Sequence, residues 1–476
     1  MINIDYITLN KFFEENIDFF IGSRLQKIQQ PTRKDFIFSL RNNGESRKFY
    51  ININPQFYHV AFISKENEAR RNLIIPKQPP MFCMLLRKYL EGCKISDALT
   101  IENERILELH FETMDEFSQK RSLCLSIELM GKHSNIILYD RENLEIIGCA
   151  HNVGPEKSRY RELQGGLKYI YPPKLNQGDF NGVALYKKLE TGKSVNEKLD
   201  NYFAKIQEEV NVKNAKSQLK DCISPKLKKV KNSIDKISNL LKKRDKTDEY
   251  KLYGELLTAN LYQKKDYSKN IEVLNYFTGK NVLIDLDDTK TLNENAQRYF
   301  KLYSKSKATK EKSEKILNEL EVEKEYLENV LYSIERAVGI RELDDIKFEL
   351  GIEQNQVKSS ALTVEQQILK LNIRGFDVYV GKNNKQNDYI VSKLSKDEDY
   401  WFHTRLCAGS HVLLKVKEIE PDEETIFECC KLAREYSSAA LPSKVGVIYT
   451  KRKFIKKPPK APLGYVIYKN EKEVLV

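Results

Sequence analysis

Trp401, His403, Arg405, Ser410 and His411 fall within one short stretch and unite an indole, two imidazoles, a guanidinium and a hydroxyl. Such groups stack on unpaired bases and hydrogen-bond to base edges and phosphates, the chemistry by which single-stranded or looped RNA is recognised. The spacing His403-x3-Cys407-x3-His411 could also set three metal ligands on one helical face. Gly409 and the strand pattern after it argue against a helix, so no metal site is expected. Trp401, beside Phe402, is read as a core anchor. His403, Arg405, Ser410 and His411 are harder to place in a core and are the first contact candidates.

The surrounding sequence must position these groups. Val378 and Val380 alternate with polar neighbours, a turn-forming run follows from Gly381 to Asp388, and Tyr389-Ile390-Val391 resumes. That pattern predicts a hairpin with a polar, basic tip. Val412 and Leu414 predict another strand, launched from Gly409-Ser410. Thr425 to Tyr436 predicts an amphipathic helix with Ile426, Phe427, Cys430, Ala433 and Tyr436 inward. Strands at Val445–Thr450 and Gly464–Tyr468 would flank a basic loop over 451–463. From Lys444 to Val476, nine basic residues face only Glu471 and Glu473. Lys451, Arg452, Lys453, Lys456 and Lys457 are therefore expected to contact phosphates.

Composition points the same way. A formal charge of +12 over 476 residues favours an anionic partner, nucleic acid first. The eight cysteines include no CxxC pair, the usage of a reducing cytosol and not of a disulfide framework. No run approaches the ~18 apolar residues of a membrane span, so a cytoplasmic protein with no membrane partner is expected. No Walker loop, HExxH, serine-histidine-acid order or paired catalytic carboxylates is present. Neither an enzyme nor a cofactor is expected.

Along the chain, residues 1–173 read as mostly β, with helices at 4–20 and 81–90 and strands at 36–40, 101–111, 123–128 and 136–139. A polar linker occupies 174–195. From 196 to 340 the pattern is helical. Ile223, Leu227, Val230, Ile234, Ile237 and Leu241 form one heptad seam; Ile316, Leu320, Leu327, Val330 and Ile334 form another, interrupted by Glu323. An insert at 250–304, with strands at 271–277 and 282–286, separates them. The expectation is an antiparallel coiled coil with a small tip domain, followed by an α+β domain at 344–476. The fold class is thus α+β, multidomain.

Four pieces of the last domain, Val380-Gly381-Lys382-Asn383, Gln386-Asn387-Asp388, Trp401-Phe402-His403 and Gly409-Ser410-His411-Val412, resemble the RNA-binding domain of the NFACT family. Ala408 and Ile448 depart from it, where the family usually has proline and aspartate. Residues 1–173 resemble the family's N-terminal domain through Ile28-Gln29-Gln30-Pro31, Phe82 to Lys88 with Leu90-Glu91-Gly92, and Met130 to Asn135. The family's Asp-Arg dipeptide is matched by Glu104-Arg105, after Asn103, and its N-terminal aspartate by Asp5. The resemblance implies RNA or tRNA contacts from Asp5, Arg87, Glu104, Arg105, Lys132 and His133, and from Lys382, Asn383, Gln386 and Asn387. A helix-hairpin-helix module that bacterial relatives carry is replaced here by the linker at 174–195. The N-terminal domain also resembles that of formamidopyrimidine-type DNA glycosylases, but Met1-Ile2-Asn3 lacks their proline nucleophile.

For function, the resemblance implies ribosome-associated quality control. The protein would bind, as a monomer, a large ribosomal subunit still holding peptidyl-tRNA. It would recruit charged tRNA, alanyl-tRNA in bacteria, so that the nascent chain gains an untemplated tail. The ribosome itself would form the bonds. An RNA- or ribosome-binding protein without tailing is the first alternative; a surface adhesin for fibronectin is a weaker one, disfavoured by the missing export signal.

Overall fold

The structure, a computed structural model, describes residues 3–114, 120–173, 182–243, 246–263, 267–352, 364–439 and 444–476. The chain divides into two units, Met1–Lys213 and Asn214–Val476. In the first, helix α1 (Tyr6–Phe20) starts where the Asp5 carboxylate accepts the Thr8 N–H at 2.8 Å. Its Leu9, Phe12, Phe13, Phe19 and Phe20 form a buried stripe.

Nine strands come next: β1 (Arg24–Thr32), β2 (Asp35–Asn42), β3 (Glu45–Asn52), β4 (His59–Ile63), β5 (Lys94–Thr100), β6 (Ile106–Met114), β7 (Lys120–Glu128), β8 (Asn135–Asp140) and β9 (Ile146–Cys149). Helices α2 (Lys65–Arg71) and α3 (Met81–Leu90) lie between β4 and β5. All nine strands join one antiparallel sheet in the order β4-β3-β2-β1-β5-β6-β7-β8-β9. Alternation along β6 sends Leu107, Leu109 and Phe111 into the core with α1 and α3. Glu108 and His110 point to the opposite face, which the 146–171 segment covers through Ile146, Leu163 and Tyr169. Both faces are therefore buried, and the polar one must be satisfied from within. The expected strand 101–111 is broken by a turn at its start, so that residues 101–105 link β5 to β6.

The stretch 174–195 is described only from residue 182; residues 174–181 lie outside the described residues. It holds the short helix α4 (Leu185–Lys188), whose Leu185 N–H donates to Asp5 at 2.7 Å. Helix α5 (Val195–Lys243) then begins by docking on α2. Arg71, fully buried, donates to Asp200 at 2.7 Å, and Asp200 also accepts from Ser64 N and Asn67 Nδ2.

In the second unit, α5 runs antiparallel to α7 (Leu292–Arg336), as the two seams predict. Lys216 and Lys220 reach Glu335, whereas Lys231 reaches Glu328 and Thr247 reaches Ser306. Ile223, Leu227 and Val230 are buried, as are Leu327, Val330 and Ile334, while Ile234 and Ile237 are half-buried and Ile316 is exposed. The 49 residues of α5 would extend about 74 Å. The insert is a small domain of α6 (Thr247–Ala259) and the hairpin β10 (Asn270–Asn275) and β11 (Lys280–Asp285), closed over Leu256, Ile271, Val273 and Ile284. Among the described residues no helix is long and apolar enough to cross a membrane.

After α8 (Ile340–Glu349) and α9 (Val364–Gln367), a six-stranded antiparallel sheet forms. It uses β12 (Leu369–Ile373), β13 (Phe376–Val380), β14 (Tyr400–Thr404), β15 (Val412–Leu414), β16 (Gly446–Lys451) and β17 (Lys472–Leu475), ordered β12-β13-β15-β14-β16-β17. One face packs Val378, Phe402 and Val412 against helix α11 (Glu423–Glu435) through Cys429, Cys430 and Ala433; the other packs Trp401, Leu413 and Ile448 against Ile390 and Val391. The predicted 375–391 hairpin is not formed. After Gly381 the chain enters helix α10 (Asn384–Tyr389) and a π-turn over Ile390–Leu394. Asn383 caps that helix, and burying Ile390 and Val391 under Trp401 outweighs pairing them as a strand. Phe427, expected inside, is 40% exposed beneath Lys431. The expected strand at 464–468 shrinks to Ile467–Tyr468, and the edge of the main sheet is instead β17.

Candidate nucleic-acid interface

The β5–β6 turn presents Glu104 and Arg105 because Asn103 takes the left-handed conformation, φ 59°, that asparagine tolerates. The buried Tyr58 supports this turn and the one at Gly131. Its hydroxyl accepts from Arg105 Nη1 at 3.3 Å, and its ring lies 5.6 Å from the Arg105 guanidinium carbon. The same ring backs Gly131, which opens the tight turn Gly131–His133 and would bring an added Cβ to 3.8 Å. That turn, tied off by the Ser134 hydroxyl accepting from Met130 N at 2.8 Å, exposes Lys132 and His133.

These groups edge a cleft of about 1200 Å³. Arg33, Arg105, Lys132 and Lys157 line it, with Arg161 deeper, against one lining carboxylate, Glu104. Arg161 is spent on Glu128, to which it donates from both terminal nitrogens, one at 2.8 Å. The excess of positive charge reaches His151, which burial holds below the usual imidazole range, aided by Lys34, Arg33 and Lys157. A concave surface with several unspent cations and one acid suits a polyanion.

Asp5 and Arg87 lie outside the lining of this cleft. Both Asp5 oxygens are engaged, with Thr8 and Leu185. Arg87 donates to the Ile28 carbonyl at 2.8 Å and lies 3.6 Å from Glu91.

In the C-terminal domain the recognised motifs converge, but largely as framework. Asn383, Gln386 and Asn387 are buried. Asn383 accepts from Gln386 N, Gln386 from Lys382 N, and Asn387 from His411 N. Trp401 stacks on His403 at 5.7 Å, with the His411 ring edge-on to both. Burial lowers His403 to about 4 and keeps His411 well below its ordinary value, so both rings are neutral at pH 7. Trp401 Nε1, His403 Nε2 and His411 Nδ1 are buried without a hydrogen-bond partner among the described residues. His403, Cys407 and His411 do not converge as a metal-binding trio.

Lys382, Asn383 and Ser410 instead edge a smaller cleft of about 470 Å³, which they share with Lys216, Tyr332 and Arg336. The basic loop is mostly paired. Lys451 bridges Glu398 and Glu420, both at 2.8 Å, and Lys453 meets Glu398 at 2.8 Å. These two lysines hold Glu398 down to about 2. Lys457 pairs with Asp388, and Arg405 with Glu473. Arg452 is a staple, donating to the carbonyls of Val391 and Ile455. Lys456 is exposed and has no ion pair among the described residues.

Arg33 and Lys157 were not singled out in the sequence. They sit far from Arg105 along the chain and carry no local motif; only the folded chain brings them to one cleft.

Residues 5–186 and 178–367 match the family pattern described as NFACT N-terminal and middle domains, and residues 368–470 match the NFACT protein RNA binding domain. The Rqc2 homolog RqcH of Bacillus subtilis (strain 168) is 30% identical over 554 aligned positions, covering 96% of this chain and 94% of that protein. The Rqc2 homolog RqcH of Streptococcus pneumoniae serotype 2 (strain D39 / NCTC 7466) is 28% identical, covering 100% of this chain and 98% of that protein. The solved C-terminal part of the fibronectin/fibrinogen-binding protein from Streptococcus suis is 25% identical, with a TM-score of 0.42. It covers 56% of this chain and 94% of that one.

Proposed function

Because this chain belongs to the NFACT family, we propose that it acts in ribosome-associated quality control in the cytoplasm. It binds large ribosomal subunits that still hold peptidyl-tRNA and recruits a charged tRNA, alanyl-tRNA by family resemblance, for untemplated extension of the nascent chain. Bond formation is left to the ribosome. The observation that carries this is the N-terminal cleft, which Arg33, Arg105, Lys132 and Lys157 line with Glu104 as the one lining carboxylate. Glu104 keeps the negative charge of the family's aspartate beside Arg105, where a carboxylate can orient a guanidinium for a phosphate or base edge. Lys216, Arg336 and Lys382 of the smaller cleft, with Lys456, are proposed as further phosphate contacts. Sequencing the RNAs that copurify with the tagged protein tests this. Enrichment of a tRNA together with large-subunit rRNA is expected, and absence of large-subunit rRNA would overturn it.

A second reading, binding with weakened tailing, has one observation in its favour. The family pattern matches in two pieces that meet at 178–186, and the Bacillus subtilis alignment needs 554 positions for a chain of 476 residues. Mass spectrometry of C-terminal extensions on a stalled reporter, in cells carrying either protein as their sole copy, separates the two.

A further inference from the structure

We propose that Glu108, His110 and Cys124 form a binding site for one divalent transition metal, zinc by its donor set, on the polar face of the N-terminal sheet. Cross-strand register builds it. His110 of β6 stands directly opposite Cys124 of β7, and Glu108 lies two residues from His110, so all three side chains share one face. The three are 2%, 3% and 0% exposed, and their ligand atoms lie within 4.8 Å of one another. Among the described residues this is the group of three His, Cys, Asp or Glu side chains drawn together in this way.

The orientation of the imidazole is that of a metal ligand. Nε2 faces inward, 3.7 Å from Glu108 Oε2. Nδ1 points to Asp97 Oδ2 at 3.5 Å, on the neighbouring strand β5, yet makes no hydrogen bond among the described residues. A carboxylate behind the outer nitrogen of a metal-bound histidine is the usual supporting contact, and a small approach would complete it. The Glu108 Oε1 atom accepts from the hydroxyls of Tyr171 at 2.9 Å and Tyr139 at 3.2 Å, which aims Oε2 at the shared space.

Charge supplies the second argument. Glu108 is a buried carboxylate with no Lys or Arg ion pair among the described residues; the Tyr139 and Tyr171 hydroxyls and the His110 imidazole are its neighbours, which leaves its charge uncompensated by a cation. A divalent cation with one carboxylate and one thiolate is neutral. The thiol proton leaves to solvent as the ion enters, and histidine with thiolate favours zinc over magnesium or calcium. The ion would tie β6 to β7 immediately behind the Glu104–Arg105 turn, a stiffening role for the cleft edge.

The test uses the full chain purified without chelators. Elemental analysis should find about one zinc per chain, as a structural site implies. Cobalt(II) added to metal-stripped wild type should give intense tetrahedral d–d bands with a thiolate-to-cobalt charge-transfer band. Cys124→Ser should lose the charge-transfer band, whereas Cys93→Ser should keep it. Chelation should lower the melting temperature of wild type and leave that of His110→Gln unchanged. Substoichiometric metal, together with a cobalt spectrum no different from the free aqua ion, would overturn the proposal even if the Cys124→Ser and His110→Gln variants misfold. So would full retention of metal by a folded Cys124→Ser protein.

Discussion

The charge arrangement of the two ends of the chain makes opposite predictions for one experiment. In the N-terminal cleft, Arg33 and Lys132 have no ion pair among the described residues. Lys157 has long contacts alone, to the Asn152 carbonyl at 3.4 Å and the exposed Glu156 at 3.9 Å, and Arg105 meets a tyrosine hydroxyl and ring. Each is available to displace a counterion from a phosphate. Four such contacts give a slope of log K against log salt of about −3.6, so affinity falls by roughly two orders of magnitude between about 50 and 200 mM salt. The triple variant Arg33→Gln, Lys132→Gln, Lys157→Gln should reduce the slope in magnitude by about 2.7. In the C-terminal loop, Lys451, Lys453 and Lys457 are already held by Glu398, Glu420 and Asp388. A phosphate gained there costs a pair lost, so replacing these three with glutamine should change the slope by less than about 1. Fluorescence anisotropy with labelled tRNA across a salt series measures both. A C-terminal triple that flattens the dependence more than the cleft triple would refute the assignment of the cleft as the main phosphate site.

Arg105→Ala should weaken tRNA binding while the melting temperature stays close to wild type, since its contact with Tyr58 is long, and Glu104→Asp should be mild. Asp200→Ala leaves Arg71 buried and uncompensated and should cost about 3–5 kcal/mol in a denaturant titration. His403 and His411 are held below their unfolded value, so below pH ~6.5 the unfolded chain takes up protons that the native domain refuses. Stability is therefore full above pH ~6.5 and falls by up to about 1.4 kcal/mol per pH unit per histidine as pH drops towards 4, which urea titrations at several pH values will read. In the reporter comparison with the Bacillus subtilis relative, extensions should be shorter or rarer; equal tails would remove the weight given to the break at 178–186.

The coiled coil was legible in the sequence because a heptad seam is a local, periodic signal, and the order of its two arms around an insert already implied a return within the chain. The helix at 81–90 and the strand at 412–414 were legible for the same reason, nearby apolar spacing, and the core role of Trp401 from its large ring beside Phe402. The 375–391 hairpin failed because polar turn residues are ambiguous. Asn383 can close a hairpin or cap a helix, and the choice went to the alternative that buries Ile390 and Val391 under Trp401. The sequence motifs marked Asn383, Gln386, Asn387 and His411 as special. Only the tertiary structure set their hydrogen bonds to one another within the domain and showed them buried. Basic residues in the tail predicted a phosphate surface, yet carboxylates distant in sequence, Glu398, Glu420 and Asp388, already engage Lys451, Lys453 and Lys457. The cleft and the Glu108–His110–Cys124 group depend wholly on sheet order and register. Arg33, in the β1–β2 turn, and Lys157, in the segment after β9, share a cleft only in the folded chain, and His110 meets Cys124 only through antiparallel pairing, which sequence spacing does not encode.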